Sequence, residues 1–416
     1  MTLCVAIAVL LIGSGGTARG DNPIRTSIAS IQSVGPGGEG NEAAIQAAEH
    51  LRKLPIDELP KLFNGMKTDN PIARNWLRGI AADIVRRALA NGDNANPDAT
   101  NPAATNPDAT NPDAAKGDAA KGDAAPSDDA ADLQRMLKMY VVDRTRNPHG
   151  RAAALDLWAR QNPTAAGEFI DDASGDPSLL IRERAIAKML VRADAAEGQS
   201  KADILRVALA DARHPAQLQS IVRDLKEFDP SVTLGDALAM IVHWQCVAPF
   251  DNRGGIGFDT AYAPEQSFTQ NGTVDLDAKY DGKNGPVVWQ SIRGDADSGF
   301  VDIAPVYEKE KGAVAYLYRT FQHATGGPAQ VRLTTKNASK IFLNGKPIYA
   351  SRIYHSGSTL DQYVADCQLA EGENRLMIKL CQNEQTQPWA QEYQFQCRVT
   401  DPAGAPFSFE TADQDN

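Results

Sequence analysis

The hydrophobic period along this chain changes at about Ile241, from three or four residues to two. Before that point, PIDELPKLFNGM (Pro55–Met66) and NPIARNWLRGIAADIVRRALA (Asn70–Ala90) gather their apolar side chains on one helical face. ADLQRMLKMYVVDRT, NPHGRAAALDLWARQNP, DPSLLIRERAIAKMLVRA, KADILRVALADAR and HPAQLQSIVRDLKEF repeat the pattern, several with a proline at the helix start. Beyond Ile241, segments such as AVAYLYRTF, AQVRLTTKN, KIFLNGK, NRLMIKLC and YQFQCRVTD alternate in polarity and are separated by Gly, Asn and Pro turns. The pattern predicts a multidomain chain, α then β: a short alpha-solenoid followed by a C-terminal beta-sandwich or jelly roll over residues 241–402, with a tail at 403–416.

Within the β region, Asn344-Gly345 between alternating apolar residues predicts a two-residue hairpin turn, since both residues tolerate positive φ. Ile341 and Leu343 then share one face and Phe342 takes the other. In the strand ending at Cys381, Leu376, Ile378 and Leu380 face inward, while Lys379 and Cys381 face outward.

Residues 91–130 break the helical pattern. They consist of tandem Asn-Pro-Asp-Ala-Thr and Lys-Gly-Asp-Ala-Ala units with no aromatic and almost nothing larger than Ala to bury. Such a tract cannot offset its own ordering entropy, so the expectation is a disordered linker between a helical segment at 41–90 and helical repeats at 131–240. At the N-terminus, the apolar run Leu3–Ile12 followed by small residues to Gly20 reads as a signal peptide over residues 1–20. It lacks a Lys or Arg ahead of the run, so either the amino group supplies that charge or the start lies upstream. The expectation is export to a periplasmic or extracellular location, with no membrane span in the mature chain.

Charge and cysteine content narrow the function classes. The net charge of −11 over 416 residues, without a basic stripe, excludes a phosphate-backbone partner, so no nucleic acid is expected. After Cys4 is removed, Cys246, Cys367, Cys381 and Cys397 remain; they form either one disulfide or buried free thiols. Cys381 with Cys397 is disfavoured because their side chains leave opposite faces. The six histidines have no metal-ligand spacing, and no G-x-S-x-G elbow occurs. Gly254-Gly255-Ile256-Gly257 is followed by a Phe-Asp-Thr loop, which argues against a phosphate-binding helix start.

FLNGK together with L-x-x-G-x-N-x-L-x-I-x-L resembles the jelly-roll sugar-binding domains that accompany beta-galactosidase catalytic domains. Asp176-Pro177 followed by Ile181, Arg182, Ala185 and Leu190 resembles the second helix of a HEAT repeat. Trp244, Pro249-Phe250, Gly257-Phe258-Asp259, Pro264-Glu265, Trp289, Asp361-Gln362-Tyr363 and Cys381 to Thr386 together resemble a C-terminal domain of secreted helical-repeat proteins of planctomycete bacteria, a family with no assigned activity. These resemblances imply a noncatalytic binding or scaffold protein, whose sandwich binds a glycan or cell-surface polymer and whose helical repeats bind a protein partner. The alternative is a hydrolase of exported carbohydrate, with loop carboxylates as acid and base.

Sugar recognition needs an aromatic face and planar amides or carboxylates, which selects Asp361, Gln362 and Tyr363 in one loop and Gln382, Asn383, Glu384 and Trp389 in another. The Asn344-Gly345 turn is expected beside them. No cofactor is expected apart from a candidate structural Ca²⁺ at Asp295, Asp297 and Asp302, which lacks the distal Glu of a complete loop. For the repeat tract, brief protease treatment should cut between about Asn91 and Ala130 and leave two stable pieces; complete protection of that tract would overturn the linker assignment.

Overall fold

The structure is a computed structural model that describes residues 21–93, 128–308 and 310–407. Helices come first: α1 (Asp21–Gln32), α2 (Asn41–Leu51), α3 (Leu59–Gly65), α4 (Pro71–Asp93), α5 (Asp128–Val142), α6 (Pro148–Gln161), α7 (Pro163–Asp171), α8 (Leu179–Asp194), α9 (Gly198–Asp211), α10 (Pro215–Leu225) and α11 (Leu234–Ala237). Strands β1 (His243–Asp251), β2 (Lys279–Gly282), β3 (Gly285–Val288), β4 (Gln290–Arg293), β5 (Val301–Asp302) and β6 (Ala313–His323) follow, with α12 (Ala263–Asn271) inserted after β1. The last strands are β7 (Gly327–Thr335), β8 (Ala338–Leu343), β9 (Lys346–Ser351), β10 (Tyr363–Leu369), β11 (Gly372–Gln382) and β12 (Gln394–Thr400). The order is thus α then β, as the periodicity predicts. None of the described helices is long and apolar enough to cross a membrane. The signal-peptide segment and residues 94–127 of the linker tract lie outside the described residues.

Two compact units meet at Arg184/Ala185, inside α8. In the first, Asn147 caps α6 by accepting from Gly150 N (2.8 Å) and also donates to Phe63 O (2.6 Å). Glycine is required at 150, because a Cβ there would lie 2.5 Å from Phe63 O. Beneath the cap, Arg151 and Asp176 are each 1% exposed and form a two-pronged ion pair at 2.7 and 2.8 Å. Arg151 Nε donates to Val141 O, and Asp176 Oδ1 accepts from Ser178 N. Asp176, which the sequence marks as the entry to a helix, therefore anchors the α5 end as well. A buried charge stripped of its partner is costly, so Asp176→Ala should lower stability by about 3–5 kcal/mol in denaturant unfolding. A loss below about 1 kcal/mol would show that the pair contributes little.

The second unit holds two antiparallel sheets. The six-stranded sheet has the order β4-β1-β6-β11-β8-β9 and the four-stranded sheet β10-β7-β12-β5; β2-β3 is a separate hairpin. Inward residues of both sheets, among them Trp244, Leu317, Ile341, Ile378, Leu333 and Phe395, form one core. Phe342, Met377 and Cys381 belong to a second core, on the other face of the six-stranded sheet. Ile341 and Leu343 do part from Phe342 as the period of two requires. Asn344 and Gly345 take φ of 50° and 80°, the left-handed pair that the hairpin turn needs.

The second core exists because the segment between β1 and β4 folds over the outer face. Phe258 and Phe268 from that segment pack there against Phe250, Tyr316 and Tyr318. Cys381 is therefore outward from the shared core yet buried, and burial pushes its thiol up to about 12. All four cysteines of the described residues are free; Cys246 and Cys397 lie in the shared core and Cys381 on the opposite face. A helix, α12, does follow the Gly-rich turn, but it begins at Ala263 with Pro264 in its first turn, where a missing N–H is harmless. The helices from Ala185 onward belong with the sheets, and Ile186, Leu205, Ile221 and Leu238 share a core with Leu360 of the β9–β10 loop. The unit boundary thus precedes the change of hydrophobic period at Ile241.

Candidate functional site

The two loops singled out for ligand binding do meet at one end of the sheets. His355 N donates to Lys336 O (2.7 Å), Lys336 Nζ reaches Glu392 (2.8 Å), and Asn252 Nδ2 joins Tyr354 OH (3.1 Å) to Gln382 O (2.9 Å). The Asn344-Gly345 turn is not beside them. Asn344 N donates to Arg375 O near the start of β11, whereas Gln382 ends that strand, about 23 Å away at about 3.3 Å per residue. A hairpin turn and the loops that follow β11 necessarily lie at opposite ends, because β8 and β11 are antiparallel.

At the shared end most of the selected side chains serve the fold. Asp361 is 9% exposed with φ of 58°; its carboxylate takes Arg398 Nε (2.9 Å) and Nη2 together with Arg332 Nη1 (2.8 Å). Burial alone would raise its pKa, but the two guanidinium groups outweigh that and hold it below the ordinary carboxylate value. Gln362 Nε2 donates to Ser356 Oγ (2.9 Å). Tyr363 opens β10 in the shared core, its hydroxyl 3.1 Å from Ser356 Oγ and its ring 5.5 Å from that of Tyr349. Gln382 is buried, and its amide is satisfied by donating to Glu310 O (2.9 Å) and accepting from Lys311 Nζ (3.0 Å).

The remaining residues of the second loop are more open. Asn383 braces a turn by accepting from Gln385 N (3.1 Å), while its carbonyl takes Gly312 N (2.9 Å). Glu384 is exposed, and its Oε2 accepts from Gly254 N (2.8 Å). Trp389 belongs to the short Pro388–Ala390 turn, but its side chain lies outside the described residues. The structure thus joins the loops while assigning Asp361, Tyr363 and Gln382 to internal contacts.

At the three candidate Ca²⁺ residues each carboxylate has a partner of its own. Asp295 Oδ1 accepts from Asp297 N (2.7 Å) and Ser298 N (3.2 Å), Asp297 pairs with Lys226 Nζ (3.2 Å), and Asp302 accepts from Ala304 N (3.0 Å). Each carboxylate turns to its own backbone or to a lysine, so the three do not converge. Among the described residues no group of three or more His, Cys, Asp or Glu is placed to hold a metal.

Geometry adds residues that the sequence reading missed. A groove of about 350 Å³ is lined by Asn284, Tyr307, Glu308 and Glu310 over an apolar floor that includes Pro249 and Val287. Glu310 is fixed by Lys283 Nζ and Asn284 Nδ2 (3.0 Å); Glu308 is exposed and left-handed, with φ of 51°. Non-glycine residues held in that region are often found at ligand sites. Glu310 is continuous with Lys311 and Gly312, so the groove adjoins the Gln382–Glu384 loop through the contacts above. Asn284-Gly285 carries the same turn signal as Asn344-Gly345 and could have been found; the charges of YEKEK look like any solvated loop.

The acidic residue of the Pro264-Glu265 motif is also structural. Lys379, fully buried, donates to Glu265 Oε2 (2.8 Å), Thr260 O (2.7 Å) and Phe258 O (3.2 Å), and Tyr316 OH donates to the same carboxylate oxygen (2.8 Å). Burial pulls the Lys379 pKa down, with Glu265 opposing, and pushes Tyr316 well up.

Asp361 has a testable pH signature. A depressed folded-state pKa gives stability that is present above the ordinary carboxylate value of about 3.9 and is lost as pH falls through the folded value. Wild type should therefore lose stability on acidification below about pH 4, and Asp361→Asn should be less stable at pH 7 but show a flatter acid limb in unfolding titrations. Parallel acid limbs would contradict the ion-pair assignment. In comparison with known proteins, the chain matches no family model and no curated protein.

Proposed function

We propose that this is an exported, noncatalytic binding protein whose two-sheet domain, of jelly-roll type, holds a carbohydrate at the groove beside the β11 loop. The helical unit, a short solenoid of HEAT type, serves as a surface for a protein partner. The observation that carries the reading is the composition of the groove: an exposed carboxylate, a braced carboxylate and amide, and a tyrosine above apolar walls. Planar amide and carboxylate groups recognise vicinal hydroxyls, and apolar walls take the C–H face of a sugar ring. The binding reading is favoured over hydrolysis by the engagement of the nearby carboxylates. Asp361 lies between two arginines, Glu310 against Lys283, and Glu384 on a backbone N–H.

The test is retention of the full chain on immobilised polysaccharides, with reducing ends assayed in parallel. Retention without release of reducing ends is expected. Glu308→Ala with Asn284→Ala should abolish retention while the melting temperature moves by less than about 2 °C, since both sit in the surface groove. Release of reducing ends, or retention unaffected by both substitutions, would overturn the proposal.

A further inference from the structure

A second concavity lies elsewhere on the same unit, between helices α9 to α11 and strand β12. It encloses about 560 Å³. Its lining includes Arg206, Arg213 and Arg398 with Leu209, Leu218 and Leu225, and the Gly404–Pro406 segment forms one edge. Volumes of roughly 300–1,000 Å³ with apolar walls and few polar groups are typical of small-molecule sites.

The cationic end of the cavity is unusual in its charge balance. Arg398 is fully buried on the face of β12 opposite Phe395, Cys397 and Val399. Its Nε and Nη2 are given to Asp361, but its Nη1 is buried without a hydrogen-bond partner among the described residues. Asp361 cannot neutralise it alone, because Arg332 draws on the same carboxylate at 2.8 Å. Two guanidinium groups share one carboxylate away from water. A buried N–H of a cation left unpaired is costly, and an arriving anion would remove that cost.

The other two arginines stand nearer to solvent. Arg213 is half-buried and held by hydrogen bonds from Nη1 to the carbonyls of Ala210 and Ala212 (2.8 and 2.7 Å). Arg206 is exposed and pairs with Asp203 (3.0 Å). The residues that line the cavity include three arginines and no Asp or Glu.

We propose that this cavity is a binding site for a small carboxylate on an apolar body, with Arg398 and Arg213 recognising the carboxylate and the α9–α10 leucines its hydrocarbon part. A carboxylate matches the forked geometry of a guanidinium, and the leucines favour a ligand with a body over a bare inorganic anion. The site is independent of the carbohydrate groove.

The probes are benzoate and hexanoate, with benzamide and hexanamide as uncharged counterparts and inorganic phosphate as a bare anion, each titrated against the full chain by thermal shift and calorimetry. At least one carboxylate should bind saturably with a Kd of millimolar or tighter and raise the melting temperature, while its amide and phosphate do not. Arg213→Gln should weaken binding about tenfold or more, with its unliganded melting temperature measured alongside because Arg213 also holds two carbonyls at the end of α9. Arg398 supports the fold, so the second variant is Ala210→Trp, at an exposed lining position of α9, which should block binding and leave the fold intact. No saturable binding up to about 10 mM would overturn the proposal. So would equal binding of the amides or phosphate, or binding that both variants leave unchanged.

Discussion

Both faces of the six-stranded sheet are covered, and that constraint governs where the charges of the second unit can go. Antiparallel sheets commonly leave one face to water. Here the segment between β1 and β4 occupies the outer face, so a lysine in the middle of β11 has no route to solvent. It is admitted because Glu265, two backbone carbonyls and the Tyr316 ring surround it. A loop seated differently would leave an uncompensated ammonium, at a cost of several kcal/mol, so the network favours one seating of the Gly-rich turn and α12.

The same logic applies on β12. Helices α9 to α11 lie against its outer face, and Arg398 there is compensated only in part, by a carboxylate that Arg332 also uses. Where compensation is complete, as at Lys379, the residue holds the fold together. At Arg398, where it is incomplete, the side chain forms part of a cavity lining. Residue type alone does not tell a fully compensated buried charge from a partly compensated one.

That distinction was not legible in the sequence. Alternation placed Ile341 and Leu343 opposite Phe342, and Asn344-Gly345 specified its turn, because both signals are local. Alternation also placed Lys379 and Cys381 outward, but it carries no information on whether an outward face meets water, which depends on a segment more than a hundred residues away. For the same reason Asp361 and Glu384 look alike as loop carboxylates, yet one lies between two arginines and the other is exposed. Strand β10 gives a weak signal although Tyr363, Ala365 and Leu369 are buried at period two, since Asp366 and Gln368 between them suit a polar loop equally well. Helix α12 was missed because nine residues with few apolar positions give little periodic signal.

The covered outer face is tested most directly by a double-mutant cycle on Glu265 and Lys379, measured by equilibrium unfolding in guanidinium. Glu265→Leu strands the Lys379 ammonium and the Tyr316 hydroxyl, Lys379→Met strands the Glu265 carboxylate and two carbonyls, and each should cost about 3–5 kcal/mol. Combined, they place two apolar side chains against each other in a site already lined by Phe258 and Tyr316. The double variant should recover at least about 2 kcal/mol of the summed loss. Singles that cost less than about 1 kcal/mol, or that simply add, would show that Lys379 reaches water and that the outer face is not closed.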